Sequence, residues 1–90
     1  MKRVTVYTTT YCGYCVRAKA ILRQYDVPFE ERDVTHDADK RSWLVETTGM
    51  RTVPQIFFDD EPIGGCDDLE AIVDNGELGA RLTSPLDAAE

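Results

Sequence analysis

The hydrophobic rhythm of this chain changes several times, and each change marks a structural element. A short run of β-formers from about Arg3 to Thr8 carries Val4, Val6 and Tyr7. Beyond it the apolar spacing lengthens to three and four residues, at Ala18, Leu22 and Tyr25, which predicts a helix from about Gly13 to Tyr25. Asp26-Val27-Pro28 breaks that helix, because the residue before a proline is pushed out of the α region. Phe29 to Val34 predicts a short, charge-rich strand of a kind tolerated at a sheet edge. Thr35 or Asp37 can cap a second helix running to about Thr48, where Gly49 ends it. Pro54-Gln55-Ile56-Phe57-Phe58 is the most apolar run and predicts a central strand. Asp59-Asp60-Glu61 then turns the chain into a last short strand, Pro62-Ile63-Gly64. Leu69, Ile72 and Val73 share one face of a helix entered from Gly65, with Asp67 and Asp68 in its first turn, where the helix dipole favours negative charge. Asn75-Gly76 closes or kinks it, and Leu78 and Leu82 continue the packing.

The order is β-α-β-α-β-β-α. A β-α-β opening joins parallel strands by a right-handed crossover, and the β-β-α ending adds an antiparallel hairpin and a helix. The expected fold is therefore α/β, a four-stranded mixed sheet flanked by three or more helices. With 90 residues the chain is one domain, expected over residues 1–82, followed by a frayed tail over 83–90 with little apolar content. At 42% hydrophobic and 30% charged the composition is that of a soluble globular protein. The net charge of −7 argues against nucleic acid, whose binding is dominated by cationic contacts to phosphate. No stretch reaches the length of a membrane span, and the Thr- and Tyr-rich run after Met1-Lys2-Arg3 is too polar for a signal core. Three cysteines form no even disulfide framework, so a reducing compartment, the cytoplasm, is expected.

Two of those cysteines carry the candidate chemistry. Cys12-Gly13-Tyr14-Cys15 sits where the first strand hands over to the first helix. Cys12 falls near the N-cap and Cys15 one turn further on. Unpaired N–H groups and the positive end of the helix dipole converge on a sulfur placed there. They favour thiolate over thiol, and such settings lower a cysteine pKa from about 8.5 to roughly 3.5–7.5. An activated dithiol follows, with Cys12 as nucleophile and Cys15, deeper on the helix, as resolving thiol.

A C-x-x-C after a first strand resembles the thioredoxin superfamily. Three further features narrow the resemblance: Thr52-Val53-Pro54 before the third strand, Gly64-Gly65 after the fourth, and Cys66-Asp67-Asp68 opening the last helix. In this order the chain resembles a dithiol glutaredoxin over roughly residues 2–82. The resemblance implies a thioredoxin-like fold with Pro54 in the cis form. It also implies thiol–disulfide oxidoreductase activity on glutathione mixed disulfides and protein disulfides, with glutathione as co-substrate. A glutathione groove is implied as well. Val53 would meet the cysteinyl part of glutathione through its backbone, between Thr52 and Pro54. Arg41 would grip the glycyl carboxylate, a task suited to a guanidinium fork. Gly65, Cys66 and Asp67 would hold the γ-glutamyl end at a helix N-terminus. Tyr14 would flank the sulfur, and Arg51 would add positive potential. The implied partners are glutathione and glutathionylated or disulfide-containing proteins, met by a monomer.

Two positions depart from the pattern. Gly13 stands where many glutaredoxins have proline, which loosens the turn and leaves one more N–H near Cys12. Thr9 stands where many have lysine, removing one cation that favours the thiolate. Some glutaredoxins without the proline hold a [2Fe–2S] cluster between two monomers through the first cysteine, and Cys12 suits that alternative too. A structural zinc site on Cys12, Cys15, Cys66 and His36 is a second alternative, of no familiar spacing. Cys66 itself reads as a small packing residue, or as a regulatory thiol at a helix start. Trp43 reads as a packing residue on a helix face.

Overall fold

A computed structural model describes residues 1–83. Its elements are β1 (Val4–Thr8), α1 (Gly13–Gln24), β2 (Glu30–Asp33), α2 (Ala38–Thr48), β3 (Gln55–Phe58), β4 (Glu61–Gly64), α3 (Cys66–Asp74) and α4 (Leu78–Leu82). The strands form one sheet in the order β2-β1-β3-β4. β1 runs parallel to β2 and antiparallel to β3, and β3 runs antiparallel to β4. This is the four-stranded mixed sheet flanked by helices that the sequence predicts. Charge-rich β2 takes one edge, and β4 takes the other, where Pro62 costs no interior ladder bond.

Alternation along the two central strands sorts the core into two layers. Val4 and Val6 of β1 with Ile56 and Phe58 of β3 pack beneath α1 and α3, against Ala18, Leu22, Leu69 and Ile72. Tyr7 and Phe57 point to the opposite face and pack with Val34 and with Leu44 of α2. Trp43 covers this second cluster, stacked 5.7 Å from Phe57 and tilted 6.0 Å from Tyr7, which makes it the packing residue expected. Burying a Val, Leu, Ile or Phe side chain contributes about 1.5–3 kcal/mol, so the two layers carry most of the fold's stability.

Caps and turns fix where the elements stop. Asp37, not Thr35, caps α2, its carboxylate accepting from the Lys40 N–H at 2.9 Å. Thr35 serves elsewhere: its hydroxyl accepts from the Thr10 N–H at 2.8 Å and tethers the loop before Cys12. Gly49 ends α2 at φ 75°, as a left-handed cap. Pro54, lacking an N–H, stays outside β3, which starts at Gln55. Glu61 leaves the turn to pair with Phe58. Leu78–Leu82 is a separate short helix, anchored by buried Leu78 and Leu82 and by the Lys2 N–H donating to the Leu82 carbonyl at 2.8 Å. Of the tail expected to fray, Thr83 caps α4 through its hydroxyl on the Gly79 carbonyl, and the rest lies outside the described residues. No described helix is long and apolar enough to cross a membrane.

Two features of this frame are testable. Gly64 sits at φ 122°, and a Cβ there would fall 2.3 Å from the Asp68 carboxylate. Gly64→Ala is expected to destabilise the fold by about 1–3 kcal/mol in urea unfolding, and an unchanged midpoint contradicts this. Glu31 accepts from Lys19 at 2.9 Å and from the buried Thr8 hydroxyl at 2.9 Å, tying α1 to the edge strand. Those bonds, Lys19's foremost, hold its carboxyl below the ordinary value of 4.5 against an opposing effect of burial. A lowered carboxyl pKa gives stability that is present above the unfolded value and lost as pH falls through the folded one. Glu31→Gln should therefore flatten the acid side of the stability profile below pH 4.5, read by thermal melts.

Candidate active site

Three chain segments meet at one end of the sheet. The first is the β1–α1 turn. Cys12 is the N-cap of α1, with extended backbone at φ −113° and ψ 104°. Its sulfur accepts from the Cys15 N–H at 3.1 Å, occupying the place usually taken by a serine or aspartate oxygen. Its carbonyl accepts the first helical bond, from Val16 N–H at 3.2 Å. Cys12 and Cys15 are joined as a disulfide with Cα atoms 5.2 Å apart. Cys12 is partly exposed and Cys15 only 2% exposed, so the first sulfur meets solvent and the second faces the core. Tyr11 and Tyr14 are exposed on either side. A Cβ on Gly13 would meet nothing, so the turn is open there.

The second segment is the loop from Gly49 to Pro54. It brings the Val53 carbonyl oxygen to 3.7 Å from the Cys12 sulfur, and the Val53–Pro54 bond is cis, as the resemblance implies. Behind it opens a groove of about 350 Å³, lined by Arg41 from α2 together with Met50, Arg51 and Val53. Arg41, predicted from a distant part of the sequence, thus shares a wall with Val53 and with Arg51. Glu46 also lines this groove, so its field is mixed and positive only locally. Thr52 is exposed on the same loop.

The third segment is the start of α3. A Cβ on Gly65 would lie 3.5 Å from the Pro54 carbonyl, which brings this turn against the second segment. The Asp68 carboxylate accepts from the Gly65 N–H at 2.9 Å, and Asp67 remains exposed. Cys66 is 4% exposed and packs within the core beneath α1 and α3. Burial, reinforced by Glu70, raises its thiol above the ordinary value. Its side chain is therefore a packing group. Among the described residues no group of three or more His, Cys, Asp or Glu is placed to hold a metal, so the zinc set of Cys12, Cys15, Cys66 and His36 is not assembled.

One residue of the site region went unread in the sequence. Gln55, counted there only as part of an apolar strand, is 2% exposed, and its carboxamide is bonded into the second segment. The available signal was a long polar side chain inside the most apolar run of the chain. Arg17 of α1, ion-paired with Glu70 of α3, also went unread, and a lone charged pair on two helix faces leaves no local mark.

Comparison with known proteins agrees with this geometry. The glutaredoxin family model matches residues 4–63. Glutaredoxin 3 of Escherichia coli (strain K12) is 46% identical over 82 residues, covering 91% of this chain and 99% of that protein. A glutaredoxin of Pseudomonas aeruginosa is 40% identical over 84 residues, covering 93% of this chain and all of its own length (100%). Among solved structures, a buckwheat glutaredoxin–glutathione complex superposes with a TM-score of 0.83 at 33% identity, over 91% of this chain and 77% of that one. The solution structure of a glutaredoxin from Brucella melitensis gives 0.82 at 41% identity, over 91% and 89%.

The three sulfurs should separate in a labelling experiment on the reduced protein. Cys12 is expected to react first with iodoacetamide at neutral pH, and Cys15 more slowly. Cys66 should react only on unfolding, because burial shields its sulfur and raises its thiol above the ordinary value. Peptide mass mapping over time reads the order. Labelling of Cys66 as fast as Cys12 would contradict the site described.

Proposed function

Because this chain belongs to the glutaredoxin family, we propose that it reduces glutathione mixed disulfides and protein disulfides with glutathione as co-substrate. It is a dithiol glutaredoxin, a thiol–disulfide oxidoreductase, and Cys12 and Cys15 are its redox pair. The observation that carries the mechanism is the Cys12 sulfur held as the cap of α1, accepting the Cys15 N–H at 3.1 Å. Negative charge on that sulfur meets an N–H donor and the helix dipole before any substrate arrives.

In the first half-reaction the Cys12 thiolate attacks the glutathione sulfur of a mixed disulfide. A Cys12–glutathione bond forms, and the substrate leaves as its thiolate, which takes a proton from water. A second glutathione thiolate then attacks the glutathione sulfur of that bond, producing glutathione disulfide and restoring the Cys12 thiolate. A sulfur that the start of a helix favours as thiolate is also the better leaving group in this second step. With a protein disulfide, Cys12 forms the mixed disulfide and Cys15, deprotonated, attacks the Cys12 sulfur. The product leaves with both thiols reduced, and the Cys12–Cys15 disulfide is reduced in turn by two glutathiones.

Glutathione would lie across the three segments. Its cysteinyl part would run along Thr52, Val53 and Pro54, its glycyl carboxylate would reach Arg41 and Arg51, and its γ-glutamyl end would meet Gly65, Cys66 and Asp67. The shared wall of Arg41, Arg51 and Val53 supports the first two placements, and the contact of Gly65 with Pro54 supports the third. Tyr14, exposed one residue before Cys15, would flank the mixed disulfide. A monomer in a reducing compartment, the cytoplasm, fits this chemistry, because glutathione must be kept reduced to regenerate Cys12. The cluster-bridged alternative is not favoured, since Cys12 is paired with Cys15 as a redox disulfide.

Turnover of a glutathione mixed disulfide, coupled to glutathione reductase and NADPH, tests the assignment. Cys12→Ser is expected to fall to background, because no other exposed sulfur can attack. Cys15→Ser should retain this activity within roughly threefold while losing reduction of a protein disulfide. Equal loss in both variants would refute the assigned roles.

A further inference from the structure

Gln55 occupies a position where the layer around Tyr7, Val34, Leu44 and Phe57 would accept an apolar side chain. It begins β3 opposite Tyr7, on the face that packs against α2. Burying a carboxamide there costs stability unless each of its polar atoms is bonded. Here each one is. Nε2 donates to the Met50 carbonyl at 2.8 Å and to the Thr52 carbonyl at 3.0 Å. Oε1 lies 2.9 Å from the Thr48 hydroxyl, whose single proton is shared between it and the Leu44 carbonyl at 2.8 Å. The same hydroxyl accepts from the Met50 N–H at 3.0 Å. Two carbonyls can be served only by the amide nitrogen, so the orientation of the side chain is fixed by its partners.

These bonds converge on the loop that carries Met50, Arg51, Thr52 and Val53 to the groove and to Cys12. We propose that Gln55 is a positioning residue for glutathione: it holds the 49–54 loop in its binding shape before substrate arrives. The inference rests on the glutathione reading above. A loop held in this way loses less freedom on binding, and preorganisation of that kind appears in affinity rather than in chemistry. The hydrogen bonds of Gln55 go to Thr48, Met50 and Thr52 rather than to Cys12, which caps the start of α1. Its removal should therefore act on substrate binding and leave the nucleophile as it was.

The test compares the wild type with Gln55→Met, which fills the same volume but offers the two carbonyls no donor. Steady-state turnover of a glutathione mixed disulfide is measured with the Cys12 thiolate titration followed by ultraviolet absorbance. KM for the mixed disulfide should rise about tenfold and kcat should change far less, the signature of lost uniform binding. The Cys12 titration should coincide with that of the wild type. A general loosening of the fold would instead lower kcat and displace the titration together. Should Gln55→Met fail to fold, Thr48→Val, which removes the hydroxyl supporting Gln55, should raise KM in the same direction by a smaller factor. An unchanged KM in a folded variant would overturn the inference alone. Failure of the wild type to saturate with the glutathione mixed disulfide would overturn the glutathione reading and the inference that rests on it.

Discussion

A sulfur at the N-cap of α1 is the constraint around which the rest is arranged. Helices usually satisfy their first N–H groups with a hydroxyl or carboxylate oxygen, and here the acceptor is Cys12 Sγ. A neutral sulfur is a poor acceptor, whereas an anionic one is a good acceptor. In the reduced protein the same N–H would meet a thiolate better than a thiol, so the position that completes the helix also favours the reactive ionisation state. Placing Cys15 one turn along the helix makes it the donor of the capping N–H and also buries its thiol within reach of Cys12.

The remaining architecture delivers partners to that sulfur. β1 sets the position of α1, and its neighbour β3 starts immediately after the loop that brings Val53 to Cys12. α3 begins where β4 ends, so its N-terminus lies against Pro54. The chain is strongly acidic overall, yet Arg41 and Arg51 face one groove. Charge at the surface is screened beyond about 10 Å at 0.1 M salt, so Arg41, Arg51 and Glu46, rather than the net charge, set the field within this groove.

The sequence made much of this legible because the informative signals were local. The N-cap position of Cys12, the breaks at Pro28 and Gly49 and the apolar run at Ile56–Phe58 depend on neighbouring residues, and they fell where expected within a residue or two. Arg41 and Gly65 were singled out only through the family pattern, since nothing near either residue in sequence says that Arg41 shares a groove with Val53 or that Gly65 lies against Pro54. Of the two caps expected for α2, Thr35 or Asp37, the chain uses Asp37. Asp37 is the better cap for α2, which frees the Thr35 hydroxyl to tether Thr10. Gln55 was hidden because its partners are carbonyls of a loop, and a backbone carbonyl carries no sequence signature. The separate α4 was read only as continued packing, because a helix of one turn has too few residues for periodicity to show.

The central claim is that the start of α1 holds Cys12 as an anion near neutrality. Titrating the thiolate absorbance of the reduced protein tests it most directly, with Cys12→Ser as the subtraction control. The account predicts a transition, absent from the control, at a pKa within roughly 3.5–7.5. A Cys12 transition at about 8.5, the value of an unperturbed cysteine, would contradict it.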